Sequence, residues 1–123
     1  MPHPPSLAIG AEAKAISDAF GDHAEHLLVS STKSMTGHLL GAAGSLEAGL
    51  TVLALRDQVA PPTTNVREVD DACRFRLIRD KALGTTLEYA MANSFGFGET
   101  NASLIFRAPQ WTSPWRTGQS GLL

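Results

Sequence analysis

The sequence predicts an α/β fold, because segments with helical spacing alternate with short runs that are typical of strands. Apolar side chains recur at helical spacing over residues 11–20. A second helical segment, residues 37–56, carries leucine, alanine and glycine on more than one face. A helix that is apolar nearly all round is typical of the middle of a layered protein. We therefore expect this second helix to be buried inside the fold.

The first half of the chain is predicted to run from helix to strand to helix. The helix of residues 11–20 ends at Gly21, a residue type that commonly terminates helices. Residues 27–31 form a short apolar run before a cluster of serine and threonine, which predicts a strand followed by a loop from Thr32. The apolar helix of residues 37–56 is expected directly after that loop.

The second half is predicted to be mostly extended. Prolines exclude a helix over residues 60–65, so an extended loop should follow the apolar helix. Three later segments favour strands: residues 75–78, 88–93 and 102–106. The last two flank Gly96 and Gly98, which predicts a strand, a tight loop and a second strand.

The two ends differ in composition from the rest of the chain. Three prolines lie among residues 2–5, and proline is unfavourable inside helices and strands. Residues 108–123 hold prolines, glycines and polar residues without any period. We therefore divide the chain into a ragged N-terminus, residues 1–6, one domain, residues 7–107, and a flexible tail, residues 108–123.

The composition is that of an ordinary globular protein and argues against several other classes. Hydrophobic residues make up 43% of the chain and charged residues 18%. The formal net charge of −2 includes no basic block, so we expect no nucleic-acid partner. Cys73 is the single cysteine, which excludes an internal disulfide and a cysteine-based metal cluster. No metal and no other cofactor is predicted.

Neither a membrane span nor a targeting segment is predicted. The longest apolar stretch, residues 39–55, is interrupted by Glu47 and is rich in small residues. Residues 1–10 lack the basic and apolar regions of a secretory signal. We therefore expect a cytoplasmic protein.

Two polar residues, Lys33 and His38, lie where the predicted loop meets the apolar helix. Reactive groups and anion sites of α/β proteins are common beyond the carboxyl end of a strand and at a helix N-terminus. A neutral imidazole there can donate a hydrogen bond to a developing oxyanion, which makes His38 the best catalytic candidate. From the residues alone, a capping or core histidine is the commoner use of such a position.

Glu47 lies inside the apolar helix, fourteen residues after Lys33. An unpaired buried carboxylate costs on the order of several kcal/mol, so a buried Glu47 requires a partner. Lys33 is the natural one. The alternative places Glu47 on a solvated edge of the helix, and periodicity alone leaves both possibilities open.

Residues 94–98 read Ser-Phe-Gly-Phe-Gly and contain two aromatic side chains, Phe95 and Phe97. Such a loop can turn a backbone amide towards an anion while the aromatic side chains close over an apolar site. A hairpin turn with two core phenylalanines is the more frequent meaning of this pattern.

Four longer segments carry a resemblance to a known family: residues 31–44, STKSMTGHLLGAAG; 93–98, NSFGFG; 55–65, LRDQVAPPTTN; and 15–24, AISDAFGDHA. The first resembles the signature around the second catalytic histidine of the β-ketoacyl-acyl-carrier-protein synthases, and a match of this length is highly specific. The others fit the same family, so the similarity covers roughly residues 7–106. The resemblance implies part of the C-terminal half of a thiolase-like α/β fold, with the buried helix packed on a mixed sheet.

The resemblance also implies an activity and residue roles. The family's reaction is the decarboxylative Claisen condensation of acyl groups with malonyl carrier protein in fatty-acid or polyketide synthesis, so acyl carrier protein with acyl and malonyl thioesters is the implied partner. His38 would bond the malonyl thioester carbonyl, and Lys33 would support the histidine pair with Glu47 as its carboxylate partner. Phe97 would gate the acyl pocket and supply half of the oxyanion hole through its backbone N–H, with Phe95 as its neighbour.

The chain departs from the family pattern at the remaining catalytic groups. Cys73 lies in a variable region before a strand and does not match the family's nucleophile. The family's HGTST segment would fall at residues 1–5, which read MPHPP, and His3 is two positions out of register. Glu99 stands where the family pattern has a second glycine, and a Cβ at positive φ costs about 1–2 kcal/mol. We expect the chain alone to be inactive.

Other classes of function remain open from the sequence. A homodimer partner or the missing N-terminal synthase portion would be needed for the enzyme. The main alternative is a non-catalytic interaction module that docks on a full synthase or on acyl carrier protein. A small α/β domain that binds an acyl or nucleotide ligand at the helix after Gly37 is a third possibility, which no motif of its own supports.

Overall fold

A computed structural model describes residues 7–69, 71, 73–96, 98 and 100–109, and for residues 7–10 the backbone only. The predicted ragged N-terminus, residues 1–6, and most of the predicted tail, residues 110–123, lie outside the described residues.

The first layer is helical. Helix α1 spans Leu7–Phe20 and ends at Gly21, whose φ of +55° a residue with a Cβ adopts only at a cost. A 3₁₀ helix, Gly21–His26, follows and buries Ala24 completely. The predicted stop at Gly21 is confirmed, and the helix begins earlier than the sequence indicated because the start of an amphipathic pattern is poorly marked without a capping residue.

A short parallel pair of strands follows. Strand β1, Leu28–Val29, pairs with strand β3, Arg76–Leu77, in the register Leu28 with Arg76. Both strands are shorter than the predicted segments. Strand β1 ends at Val29, and the candidate residues Lys33 and His38 follow beyond this carboxyl end of a parallel strand.

The segment between β1 and the long helix differs from the prediction. The expected loop from Thr32 contains a single helical turn, α2, Lys33–Thr36. Gly37 with φ +73° and Leu40 with φ +48° then interrupt the helix that was predicted from residue 37. After a 3₁₀ turn, Leu40–Ala42, the long helix α3 spans Ala43–Asp57. Positive φ cannot be continued into a right-handed helix, so α3 starts six residues late.

Two antiparallel pairs complete the fold. Strand β2, Val59–Ala60, pairs with strand β4, Leu83–Gly84. Strands β5, Tyr89–Phe95, and β6, Asn101–Arg107, form a hairpin in which Met91 faces Ile105. The predicted strand, loop and strand around the two glycines are therefore confirmed. Parallel and antiparallel pairs occur together, in three separate two-stranded ladders within the part of the chain that the structure describes.

The α/β class is confirmed, but helix α3 is buried on one side only. It packs against the β5–β6 hairpin. Of its residues, Ala43 and Leu55 are buried, whereas the side chains of Val52 and Leu53 are 46% and 42% exposed. The expected burial of this helix is therefore confirmed on one face, because the described residues supply a packing partner for that face and none for the other. No helix in the described ranges is long and apolar enough to cross a membrane.

Candidate active site at the start of the long helix

Lys33 and Glu47 are in contact. Lys33 is the first residue of α2, and Glu47 lies in the second turn of α3. The Lys33 Nζ donates to Glu47 Oε1. The carboxylate side chain is 15% exposed and the ammonium side chain 40% exposed. Of the two possibilities left open by periodicity, the structure therefore favours the ion pair over a solvated edge.

The setting of Glu47 explains why its charge is tolerated inside an otherwise apolar helix. The Lys33 ammonium supplies a hydrogen bond as well as an opposite charge. Because Lys33 is partly open to water, the pair is screened more than a fully buried one.

His38 lies in the connection from helix α2 to helix α3 and is exposed. Its Nδ1 accepts a hydrogen bond from the Leu40 N–H at 3.0 Å. In a neutral imidazole this bond places the proton on Nε2, so Nε2 becomes the donor for an incoming oxygen. His38 precedes the first residue of α3 by five positions, because the backbone turns at Gly37 and Leu40 before the helix begins.

The closed end of the β5–β6 hairpin lies beside the start of α3. A Cβ built on Gly44 would meet Ser94 Oγ at 3.2 Å, which is tighter than most real contacts. The hairpin loop is closed by the Gly96 N–H, which donates to the Thr100 carbonyl at 2.7 Å. A Cβ on Gly96 would lie 3.0 Å from that same carbonyl oxygen, so any other residue there would require the Thr100 carbonyl to shift. The end of β5 therefore lies beside Gly44, six residues after His38 in the sequence.

Of the two candidate phenylalanines, the structure describes only Phe95. Phe95 ends β5, and its side chain is 60% exposed. Adjacent strand residues point to opposite faces, so Phe95 projects away from the face on which Ser94 meets Gly44. The exposure of Phe95 argues against the alternative of two core phenylalanines, and its place beside the gate stays a prediction. Phe97, Glu99 and His3 lie outside the described residues. The roles expected of Phe97 and Glu99 therefore stay predictions.

A group of hydroxyl side chains near Lys33 was not singled out from the sequence. Ser31 N–H donates to Thr63 Oγ1 at 2.8 Å, and Thr64 N–H donates to Ser34 Oγ at 2.9 Å. These contacts join residues about thirty apart along the chain. Serine and threonine are ordinary loop residues, so only their tertiary contacts distinguish them.

Resolved pKa changes lie at the other end of α3. The hydrogen bond from Arg56 to Asp57 lowers the pKa of Asp57 and raises the pKa of Arg56. Both side chains are exposed. Over the described ranges, no three histidine, cysteine or acidic side chains are grouped so that they could hold a metal ion.

Comparison with known proteins connects this geometry to a family. The β-ketoacyl synthase C-terminal domain matches residues 9–67. The chain is 53% identical over 94 residues to the 3-oxoacyl-[acyl-carrier-protein] synthase 2 of Coxiella burnetii, with 76% of this chain and 23% of that protein covered. It is 52% identical over 98 residues to the protein of the same name from Vibrio harveyi, with 79% and 24% covered.

Solved structures give the same result. A β-ketoacyl synthase from Burkholderia phymatum superimposes with a TM-score of 0.74 at 44% identity, covering 81% of this chain and 24% of that one. A second match, with a TM-score of 0.76 at 31% identity and coverage of 80% and 24%, comes from the AntDE:AntF assembly. That assembly is described as a type II PKS acyl-carrier protein in complex with its ketosynthase bound to the hexaketide. The present chain thus spans about a quarter of the length of these proteins.

Proposed function

Because this chain belongs to the β-ketoacyl synthase family, whose C-terminal domain it contains, we propose that it forms part of the thioester site of a 3-oxoacyl-acyl-carrier-protein synthase. The observation that carries the proposal is the Lys33–Glu47 ion pair in the segment that also holds His38. The domain is assigned to residues 7–107, with the residues on either side left outside it.

The reaction is a decarboxylative Claisen condensation between an acyl thioester and malonyl carrier protein. The bond from the malonyl α-carbon to its carboxylate breaks, carbon dioxide leaves, and the electron pair forms a thioester enolate. The α-carbon then attacks the acyl thioester carbonyl, and the thiolate that held the acyl group leaves. The step that needs most help from the protein is the development of negative charge on the enolate oxygen.

His38 stabilises that oxygen by donating a hydrogen bond from Nε2. Its Nδ1 bond to the Leu40 N–H supports this assignment, because the tautomer with the proton on Nε2 is then the one that satisfies both nitrogens. The exposure of His38 leaves Nε2 accessible to a substrate carried by another protein.

Lys33 places a positive charge beside the same segment, and Glu47 holds it there. Phe97 gates the acyl pocket and contributes its backbone N–H to the oxyanion hole, with Phe95 as its neighbour at the end of β5. The position of the hairpin loop next to the start of α3 supports this assignment.

The chain alone is expected to carry out no condensation. The reaction requires a thiolate activated at a helix N-terminus or beside a histidine, and no sequence feature around Cys73 indicates such activation. The nucleophile and the first histidine would come from the N-terminal portion of a synthase, and acyl carrier protein with acyl and malonyl thioesters would be the substrate.

The test combines the chain with the N-terminal portion of a related 3-oxoacyl-acyl-carrier-protein synthase and follows 3-oxoacyl carrier protein by mass spectrometry. We expect product from the mixture. His38→Ala should reduce the rate by about 10²–10³, the effect of removing one oxyanion donor. His26→Ala, in the 3₁₀ helix, is the matched control and should leave the rate unchanged.

Three results would contradict the proposal. An unchanged rate in His38→Ala would remove its central residue. A stable acyl adduct on Cys73 of the chain alone, with measurable product, would show a different enzyme. A tight complex with the N-terminal portion that gives no product would favour the non-catalytic interaction module, which the exposed apolar side chains of the hairpin also support.

A further inference from the structure

We propose that Thr63, Thr64 and Ser34 are positioning residues, which fix the α2 turn so that the Lys33 ammonium meets Glu47. The observation is a pair of hydrogen bonds that join this turn to the loop after β2 on both sides of Lys33. No role in the family resemblance was assigned to any of the three. The role of Lys33 in the thioester site rests on the proposed function, whereas the positioning of Lys33 does not.

The first anchor is Thr63, which is 8% exposed. Its Oγ1 accepts the Ser31 N–H at 2.8 Å. Its own N–H donates to the Ile78 carbonyl at 2.8 Å, and its carbonyl accepts the Asp80 N–H at 3.3 Å. Thr63 is therefore held by backbone bonds to the segment after β3, so its hydroxyl is a fixed acceptor.

The second anchor lies one residue further along the loop, at Thr64, and three residues after Ser31, at Ser34. Ser34 Oγ donates to the Ser31 carbonyl at 3.0 Å and accepts the Thr64 N–H at 2.9 Å. The Thr64 hydroxyl donates to the Ser34 carbonyl at 3.3 Å. These bonds tie the two segments of the chain together at Ser34, immediately after Lys33.

The two anchors lie on either side of Lys33 and set where its backbone stands relative to α3. Lysine has a flexible four-carbon side chain, so an ion pair at a defined position depends on a fixed backbone. Glu47 is fixed separately, by the helix, and the α2 turn reaches α3 only through Gly37 and the following 3₁₀ turn. Without the anchors, the turn would be joined to α3 only by the connecting segment and by the Lys33–Glu47 contact itself.

The experiment measures the reactivity of individual lysines in the full chain. The protein is treated briefly with acetic anhydride, and the acetylation rate of Lys33 is compared with those of Lys14 and Lys81 in the same sample by peptide mass spectrometry. Glu47→Gln removes the carboxylate charge and so gives the reference acetylation rate of Lys33 without its ion-pair partner. We expect Thr63→Val to raise the Lys33 rate about two- to tenfold, the factor that corresponds to the net free energy of one hydrogen bond.

Two further substitutions separate positioning from a general loss of structure. Thr63→Ser keeps the hydroxyl and should restore the slow rate. Thr51→Val removes a threonine hydroxyl that bonds within α3, to the Glu47 carbonyl at 2.8 Å, and should leave the Lys33 rate unchanged. Ser34→Ala removes the second anchor and should raise the Lys33 rate even if Thr63→Val does not fold.

The proposal is overturned if Thr63→Val and Ser34→Ala leave Lys33 as slow as in the unchanged protein while Glu47→Gln accelerates it. It is also overturned if Glu47→Gln has no effect, because there would then be no pair to position. A uniform rise at Lys33, Lys14 and Lys81 in Ser34→Ala would indicate unfolding instead of positioning and would overturn it too. None of these outcomes depends on condensing activity, so they are independent of the test of the proposed function.

Discussion

At the scale of single residues, the Lys33–Glu47 pair is unequally buried. Most of the Glu47 carboxylate side chain is covered, whereas the Lys33 ammonium keeps access to water. The cost of losing a partner is larger for the charge that cannot be hydrated. The two residues should therefore respond differently to removal of the other.

We predict that Lys33→Met destabilises the fold more than Glu47→Gln does, because the first leaves a covered carboxylate without its cation. Removing both charges should cost less than the sum of the single changes, with a coupling of about 1 kcal/mol. Urea unfolding of the two single variants and the double variant measures the coupling.

The exposed Lys14–Asp18 pair, four residues apart in α1, is the control for that cycle. Its coupling should be about 0.3–0.5 kcal/mol, as for other exposed helix pairs. Equal couplings in the two cycles would show that Glu47 is hydrated in solution.

At the scale of elements, the packing of α3 on the β5–β6 hairpin depends on a close approach at one glycine. Gly44 leaves room for the Ser94 hydroxyl, whereas Gly49, on the same helix, has no neighbour within 4 Å of an added Cβ. The two glycines share the helical conformation and differ in their surroundings. Alanine substitutions at the two positions therefore distinguish the effect of helix propensity from the effect of packing.

We predict that Gly49→Ala stabilises the protein by about 0.5–1 kcal/mol, the usual gain for replacing glycine by alanine in a helix. Gly44→Ala should give a smaller gain or a loss, because its Cβ crowds Ser94 Oγ. Thermal or urea unfolding of both variants measures the difference. If Gly44→Ala gained as much as Gly49→Ala, the helix and the hairpin would be further apart than the structure indicates.

The Gln58 side chain joins the C-terminal end of α3 to the segment between β4 and β5. Gln58 has φ +56° and closes the helix, and its Nε2 donates to the carbonyls of Leu55 and Leu87 at 2.7 and 2.8 Å. The Leu87 N–H donates to Gln58 Oε1 at 2.8 Å. The amide therefore takes the place of a strand partner for Leu87.

We predict that Gln58→Ala costs about 1–3 kcal/mol, because it leaves half-buried backbone groups of Leu55 and Leu87 without their partner. Gln58→Glu keeps an acceptor for the Leu87 N–H but turns a carboxylate oxygen towards the Leu55 and Leu87 carbonyls at the negative end of the helix dipole, so it should lose more than Gln58→Ala at pH 7. Urea unfolding measures both changes. A smaller loss in Gln58→Glu than in Gln58→Ala would argue that the two bonds from Nε2 contribute nothing.

At the scale of the whole molecule, the described residues leave much apolar surface uncovered. Met91 and Ile105 face each other across the hairpin and are 40% and 71% exposed. Directly opposite residues of an antiparallel pair lie on one face, so their side chains form a continuous apolar patch. Such patches commonly mark contacts with other protein surfaces.

We predict that the chain associates with itself at micromolar concentration and that the double change of Met91→Thr and Ile105→Thr reduces this association. Sedimentation velocity measures the monomer fraction. Val69→Thr alters an exposed apolar residue outside the hairpin and should leave the monomer fraction unchanged. A chain that is monomeric at all concentrations would contradict the prediction, as would equal effects of the two sets of variants.

The sequence by itself determined the family resemblance and the hairpin around Gly96 and Gly98, because these depend on contiguous motifs and on local turn preferences. It also predicted His38, Lys33 and Glu47 as site residues. Only the tertiary structure decided that Lys33 meets Glu47 and that helix α3 is covered on one face, since both are set by contacts between distant segments. It also decided where α3 begins. Gly37 and Leu40 have positive φ values that interrupt the helical backbone, and the helical spacing of apolar residues in the sequence does not report such turns.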